Sequence, residues 1–205
     1  GYYGYYNHRQ SQGFRTTNSD YRLDGGHFKI SYDVDQDTRW ILALDAYEQD
    51  NDEPGGLTYR DYVRNRDQAT RSNDYFRLRR YVASAELQHK IQEGTELDVK
   101  MWAGYYNRYS HRQRLSAGQG TNAFGVTPLG TQSNIENQTF YSYGLEPRIR
   151  QDWEALGGRH TLAAGMQFYL MDSPRRDKRG LSGPAATDGV ITGDSQRDVF
   201  YYSFF

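Results

Sequence analysis

Between Arg80 and Tyr109 two long arms alternate about a tight turn, and this pattern leaves few folds open. Tyr81, Ala83, Ala85, Leu87, His89 and Ile91 alternate with Val82, Ser84, Glu86, Gln88 and Lys90. A period of two places one set on each face of a strand. Beyond the turn, Leu97, Val99, Met101, Ala103 and Tyr105 share one face, and Glu96, Asp98, Lys100, Trp102, Gly104 and Tyr106 share the other. Each arm runs to roughly ten residues or more, about what a tilted strand needs to cross a bilayer. Strands of soluble domains are usually nearer about five or six residues.

The same grammar recurs along the chain. Tyr2 to Asn7 reads as the end of a strand, followed by a polar loop from His8 to Asp20. Phe28, Ile30, Tyr32 and Val34 alternate with polar neighbours, Asp35-Gln36-Asp37 makes a short turn, and Trp40, Leu42, Leu44 and Ala46 resume the apolar face. Polar stretches follow from Gln49 to Asp74 and from Ser110 to Gln138, the second with Gly118, Gly120, Gly125, Gly130 and Pro128 as loop signals. Tyr141, Tyr143, Leu145, Pro147 and Ile149 lead to a turn at Ala155-Leu156-Gly157-Gly158, and Leu162, Ala164, Met166, Phe168 and Leu170 return. A last long loop, Asp172 to Arg197, precedes Val199 to Phe205.

Eight strand segments with short turns at one end and long polar loops at the other match the asymmetry of outer-membrane barrels. The expected fold class is all-β, an antiparallel transmembrane β-barrel. A soluble all-β domain with one wet face would also alternate, but strand length and loop asymmetry count against it. The mean hydropathy of −0.96 leaves no run for a membrane helix. It leaves room for a barrel, where only alternate residues meet lipid and 19 Tyr can supply interfacial girdles. A net charge of −1 gives no reason to expect nucleic acid as a partner. Without cysteine, disulfides, thiolate catalysis and Cys-based zinc sites drop out. Gly1 to Tyr6 has neither a basic nor an apolar leader region, so a signal peptide is expected to have been removed or the chain to be internal.

Asp52 to Arg80, DEPGGLTYRDYVRNRDQATRSNDYFRLRR, resembles an extracellular loop of TonB-dependent outer-membrane transporters of the ferric citrate type. Pro54, Gly55, Gly56, Leu57, Gln68, Thr70, Arg71, Asn73, Asp74 and Phe76 carry the resemblance. Thr58 with Asp61 three residues on is also a capping-box pattern, so a short helix is expected inside the loop. The resemblance implies a barrel of about 22 strands around a plug domain. On that reading residues 1–205 are part of the barrel, with the plug and the remaining strands lying elsewhere. The alternative is a complete eight-stranded barrel or passive porin-like protein, which the terminal aromatic run Val199 to Phe205 favours.

The function implied by the resemblance is TonB-dependent uptake of a ferric chelate, citrate-like or another siderophore, across a bacterial outer membrane. TonB would act through the plug, and membrane lipid and lipopolysaccharide would surround the barrel. No cofactor is implied. His8, His27, His89, His111 and His160 lack paired metal-ligand spacing and no G-x-S-x-G elbow occurs, so enzyme chemistry is not expected. Charges on the polar faces, among them Lys29, Asp45, Glu86, Lys90, Asp98, Lys100, Glu146, Arg148 and Arg150, are expected to pair across strands.

An anionic chelate calls for fixed cationic forks, and arginine supplies them at any physiological pH. The long polar stretches carry Arg9, Arg15, Arg60, Arg64, Arg66, Arg71, Arg112, Arg114, Arg175, Arg176 and Arg179. Solvation or lipopolysaccharide phosphate would account for any one of them. Arg71, in the family-like stretch, and Arg108, on the inward parity of Trp102, Gly104 and Tyr106, are the expected chelate contacts, with Gln68 and Tyr106 as polar support.

Overall fold

A computed structural model describes residues 1–116, 129–180 and 183–205. Eight antiparallel strands form one sheet in sequence order: β1 (Tyr2–Ser11), β2 (Tyr21–Asp33), β3 (Thr38–Asp52), β4 (Tyr75–Gln92), β5 (Thr95–Leu115), β6 (Leu129–Ala155), β7 (Gly158–Gly180) and β8 (Gly189–Phe204). The one helix among the described residues, α1 (Tyr59–Arg64), lies between β3 and β4 and is too short to cross a membrane. Among the described residues no ladder joins β1 to β8, so both are edge strands.

The short turns fall where the sequence places them. The β4–β5 turn needs Gly94, at φ +76°, and the β6–β7 turn is closed by Leu156 and Gly157 at φ +53° and +76°. Positive φ at both central residues is the type I′ geometry that matches the twist of a two-residue hairpin. The long connections share the opposite end of the sheet.

Strands reach further into those connections than alternation of apolar residues indicates. β1 continues through Arg9 to Ser11, β5 through Arg112 and Arg114 to Leu115, and β7 through Arg175, Arg176 and Arg179 to Gly180. The loops expected from His8, Ser110 and Asp172 therefore begin later, and these six arginines are strand residues. Beyond the apolar band both faces are polar, so periodicity of two vanishes while the backbone ladder goes on. Pairs such as Tyr109 with Asn137 and His111 with Ile135 extend it. The loop glycines Gly118, Gly120 and Gly125, with Pro128, lie outside the described residues, and Gly130, expected in the same loop, is instead a β6 residue.

Register joins the alternating sets into two continuous faces. One row runs Ile30, Leu42, Ala85, Met101, Leu145, Phe168, Tyr202, and the next runs Phe28, Leu44, Ala83, Ala103, Tyr143, Leu170, Phe200, every neighbour a paired residue. Tyr81, Tyr105 and Tyr141 line one border of this apolar face, with ring centroids 6.0 and 5.6 Å apart. Trp40 and Trp153 lie on the same face toward the other end. None of the described residues packs over it: Leu44 is 58 % and Leu162 56 % exposed. Ile135 is the only fully buried hydrophobic residue among those described, so no second layer supplies a core of the soluble kind.

On the opposite, polar face the side chains follow the sheet closely. Trp102 is paired with Gly144, and a Cβ at that glycine would fall 1.9 Å from the indole ring. Gly144 therefore lets the indole lie against the sheet. Gly144→Val should displace Trp102 and cost about 1–3 kcal/mol, as overpacking does. Guanidinium unfolding followed by tryptophan fluorescence in detergent measures it, and an unchanged midpoint would refute this packing.

Candidate functional site

Of the charges expected to pair on the polar face, Asp45, Lys90, Glu146, Arg148 and Arg150 form ion pairs, only those of Asp45 and Arg150 reaching an adjacent strand, and Lys29, Glu86, Asp98 and Lys100 form none among the described residues. His27 meets Asp45 at 2.8 Å, Arg148 meets Glu146 at 2.6 Å, and Arg150 meets Asp152 at 3.0 Å and Glu96 at 3.6 Å. The Arg148 and Arg150 contacts occupy the end nearer the short turns, whereas His27 and Asp45 form the rung next to Gly25 and Tyr47. Towards the long connections the balance changes. One rung runs Asn7, Gly25, Tyr47, Arg80, Tyr106, Phe140, and the next runs Arg9, Leu23, Gln49, Leu78, Arg108, Gln138, Arg175. Neither holds an acid. Arg175 is satisfied by Asp177 at 3.0 Å, but Arg9, Arg80 and Arg108 have no ion pair among the described residues, and neither has Arg197 opposite Ser173. The Arg108 guanidinium lies 5.7 Å from the Phe76 ring centre.

Beyond these rungs the long connections fold onto one another. The Thr58 hydroxyl accepts from the Asp61 amide at the start of α1, the capping box expected from sequence. Thr70 N–H donates to the Pro54 carbonyl at 2.8 Å, closing the segment at its base. The Asn18 side-chain amide reaches across from the β1–β2 connection to the Glu53 and Asp74 carbonyls, both at 2.9 Å. Arg15 donates to the Gln68 carbonyl at 2.7 Å. Arg112 grips Glu53 with two guanidinium nitrogens at 2.8 and 2.9 Å.

His111 lies at the centre of this cluster with no exposed surface. Its Nδ1 is 2.7 Å from the Asn73 carbonyl and its Nε2 is 3.0 Å from the Ala186 carbonyl, so one ring bridges the β3–β4 and β7–β8 connections. Tyr75 stacks on it with centroids 5.0 Å apart. Beside it, Asp74 accepts from the Gln113 amide at 2.6 Å. Burial pushes the Asp74 carboxyl above its ordinary value, against the opposing pull of the Gln113 amide and Arg71.

The four sequence-derived contacts divide between these two regions. Tyr106 and Arg108 share the polar face two residues apart, with Tyr106 packed 5.4 Å from Phe140. Arg71 belongs to the folded connections, donating to the Gln113 carbonyl at 2.9 Å and lying 3.7 Å from Asp74. Gln68 uses its side-chain amide to reach the Asp61 carbonyl at 2.8 Å, closing the end of α1. Arg71 is thus anchored five residues along β5 from Arg108, roughly 16 Å at strand spacing. Arg80 and Gly25 lie on the same polar face and were not singled out from the sequence. The available signal was parity: Arg80 is paired with Tyr106, so it shares the face assigned to Arg108.

No protein-family model matches the chain. Among solved structures it is similar to the crystal structure of ferric citrate transporter FecA in the unliganded form, with a TM-score of 0.69 and 19 % identity. The similarity covers 98 % of this chain and 28 % of that one. What the two share is fold, an antiparallel sheet of that barrel type.

Because Asp74 has a raised pKa in the folded protein, its contribution to stability is complete below about pH 4 and is lost as pH rises through the raised value. Asp74→Asn keeps an oxygen acceptor for the Gln113 amide and removes the titration. Hydrogen exchange at Gln113 and Asn73, corrected for intrinsic rate, should quicken from pH 4 to pH 7 in the parent and stay level in the variant. Equal pH profiles would exclude Asp74 as the titrating group.

Proposed function

We propose that these strands are an arc of a larger transmembrane β-barrel in a bacterial outer membrane, and that the protein takes up a ferric chelate of an anionic carrier. The observation that carries this reading is the two-faced single layer: a continuous apolar face between aromatic borders, backed by a polar face on which Arg9, Arg80 and Arg108 have no ion pair among the described residues. An open strand edge cannot persist in hydrocarbon, so β1 and β8 would pair with further strands. A larger barrel also makes room for a plug through which TonB would act, as in the family the β3–β4 connection resembles. Similarity of fold to a ferric citrate transporter supports the same substrate class.

In this reading the polar face lines the lumen, and the folded connections form its outer mouth. Arg108 and Tyr106 would meet the chelate on the wall. Arg71, supported by the α1 segment that Gln68 closes, would act at the rim. Arg71→Ala and Arg108→Ala in the intact protein should each weaken ferric citrate binding by about 1–3 kcal/mol if they make charged hydrogen bonds. Titration on detergent-purified protein measures this, and unchanged affinity in both removes them from the site. Cells making the intact protein should accumulate radiolabelled ferric citrate only when TonB is present. Accumulation independent of TonB would favour a passive pore.

The membrane assignment has its own test on adjacent residues. Met166 is on the apolar face, while Gln167 is on the polar face and donates to Glu146 at 2.7 Å. Arginine at Met166 should destabilise the barrel by about 2–4 kcal/mol near mid-membrane, and arginine at Gln167 should be tolerated. Equal losses in unfolding free energy would contradict the face assignment.

A further inference from the structure

A hollow of about 790 Å³ opens on the polar face where β1 to β5 lie side by side. It exists because Gly25 leaves a side-chain position empty between Asn7 and Tyr47. Leu23 and Leu78 give it an apolar floor, and Tyr47 and Tyr106 stand beside them. Both rings are held in place, Tyr47 by its hydroxyl donating to Gln49 at 2.5 Å and Tyr106 by packing on Phe140. Arg9 and Arg80 line the same hollow without an ion pair among the described residues. Asp45 also lines the hollow, and its carboxylate is engaged by His27 at 2.8 Å rather than by either arginine.

We propose that this hollow binds a flat aromatic anion, with its ring against Tyr47 and Tyr106 and its acidic group between Arg9 and Arg80. The inference rests on the reading of the polar face as a lumen wall and narrows the ligand class. A hydrated aliphatic polycarboxylate would satisfy the arginines but leave leucine and tyrosine surface unmatched. A neutral aromatic would cover that surface and leave Arg9 and Arg80 without an ion-pair partner. A ring bearing a carboxylate meets both demands, and guanidinium can engage the carboxylate bidentately while the aromatic pair adds its own attraction.

The test uses salicylate as probe, with citrate and benzamide as comparators, titrated into the detergent-purified intact protein. Salicylate should bind at least tenfold more tightly than either comparator, and Arg9→Ala with Arg80→Ala should lower its affinity at least tenfold. Gly25→Leu should abolish binding by filling the hollow. Its backbone is not in the left-handed region, and a Cβ there meets its nearest atoms at 3.8 Å, so the leucine can enter without backbone strain. Should Gly25→Leu fail to assemble, Gly25→Ala serves as the smaller step, with an expected loss of a few-fold. Citrate binding as tightly as salicylate, no salicylate binding, or salicylate binding untouched at Gly25 each overturns the proposal. Ferric citrate uptake, read separately in cells, decides the transport reading whatever the salicylate isotherm shows.

Discussion

The structure depends on a single uninterrupted backbone ladder. Each inner strand gives its amides and carbonyls to two neighbours, and seven pairings in sequence order account for the whole sheet. Because the sheet is one layer thick, neither face is covered by another element of the described chain, and the hydrophobic contribution that normally stabilises a domain of this size is missing within it. Two demands follow. The apolar face needs an apolar medium, and the unpaired sides of β1 and β8 need partners wherever that medium excludes water.

Above the apolar border the ladder continues without any gain from burial, and a different set of contacts supports it. The ion pairs there are conspicuous but weak, because Arg112 and Glu53 remain partly in water and such pairs contribute about 1 kcal/mol or less. Contacts that remove polar groups from water decide more. His111 and Asn18 between them engage four backbone carbonyls from two connections. Losing such a partner leaves a buried acceptor unmet at a cost of about 1–3 kcal/mol. The ordered outer connections are therefore held by side-chain to backbone bonds, with side-chain ion pairs as a secondary contributor.

Where burial and periodicity coincide, the sequence was easy to read. The faces of β4 and β5, the turns at Gly94 and Gly157, and the Thr58–Asp61 cap all depend on contacts between residues close along the chain or on strict alternation. What escaped depends on long-range pairing between polar segments. Nothing near Arg112 or Arg176 marks a strand, because their neighbours are polar on both sides. His111 lacked any metal-like spacing, and its burial comes from Asn73 and Ala186, distant in sequence. Gln68 and Arg71 look like free polar groups until α1 and β5 are folded beside them. Gly25 carries no local signal at all: its importance is a missing side chain between two strands.

The polar face also separates two electrostatic regimes, and magnitudes explain why they coexist. Towards the short turns, Arg148 with Glu146 and Arg150 with Asp152 lie within ordinary contact distance. Towards the outer connections, Arg80 and Arg108 are diagonal neighbours on adjacent strands, roughly 7–8 Å apart at the backbone, with no acid on either rung. In water two like charges at that distance repel by only about 0.5 kcal/mol, so folding tolerates them readily. The repulsion grows as water is excluded, and an entering anion reverses its sign. An arrangement nearly neutral for the empty protein is thus strongly differential for occupancy, whereas the paired charges nearer the turns would have to break existing contacts to do the same work.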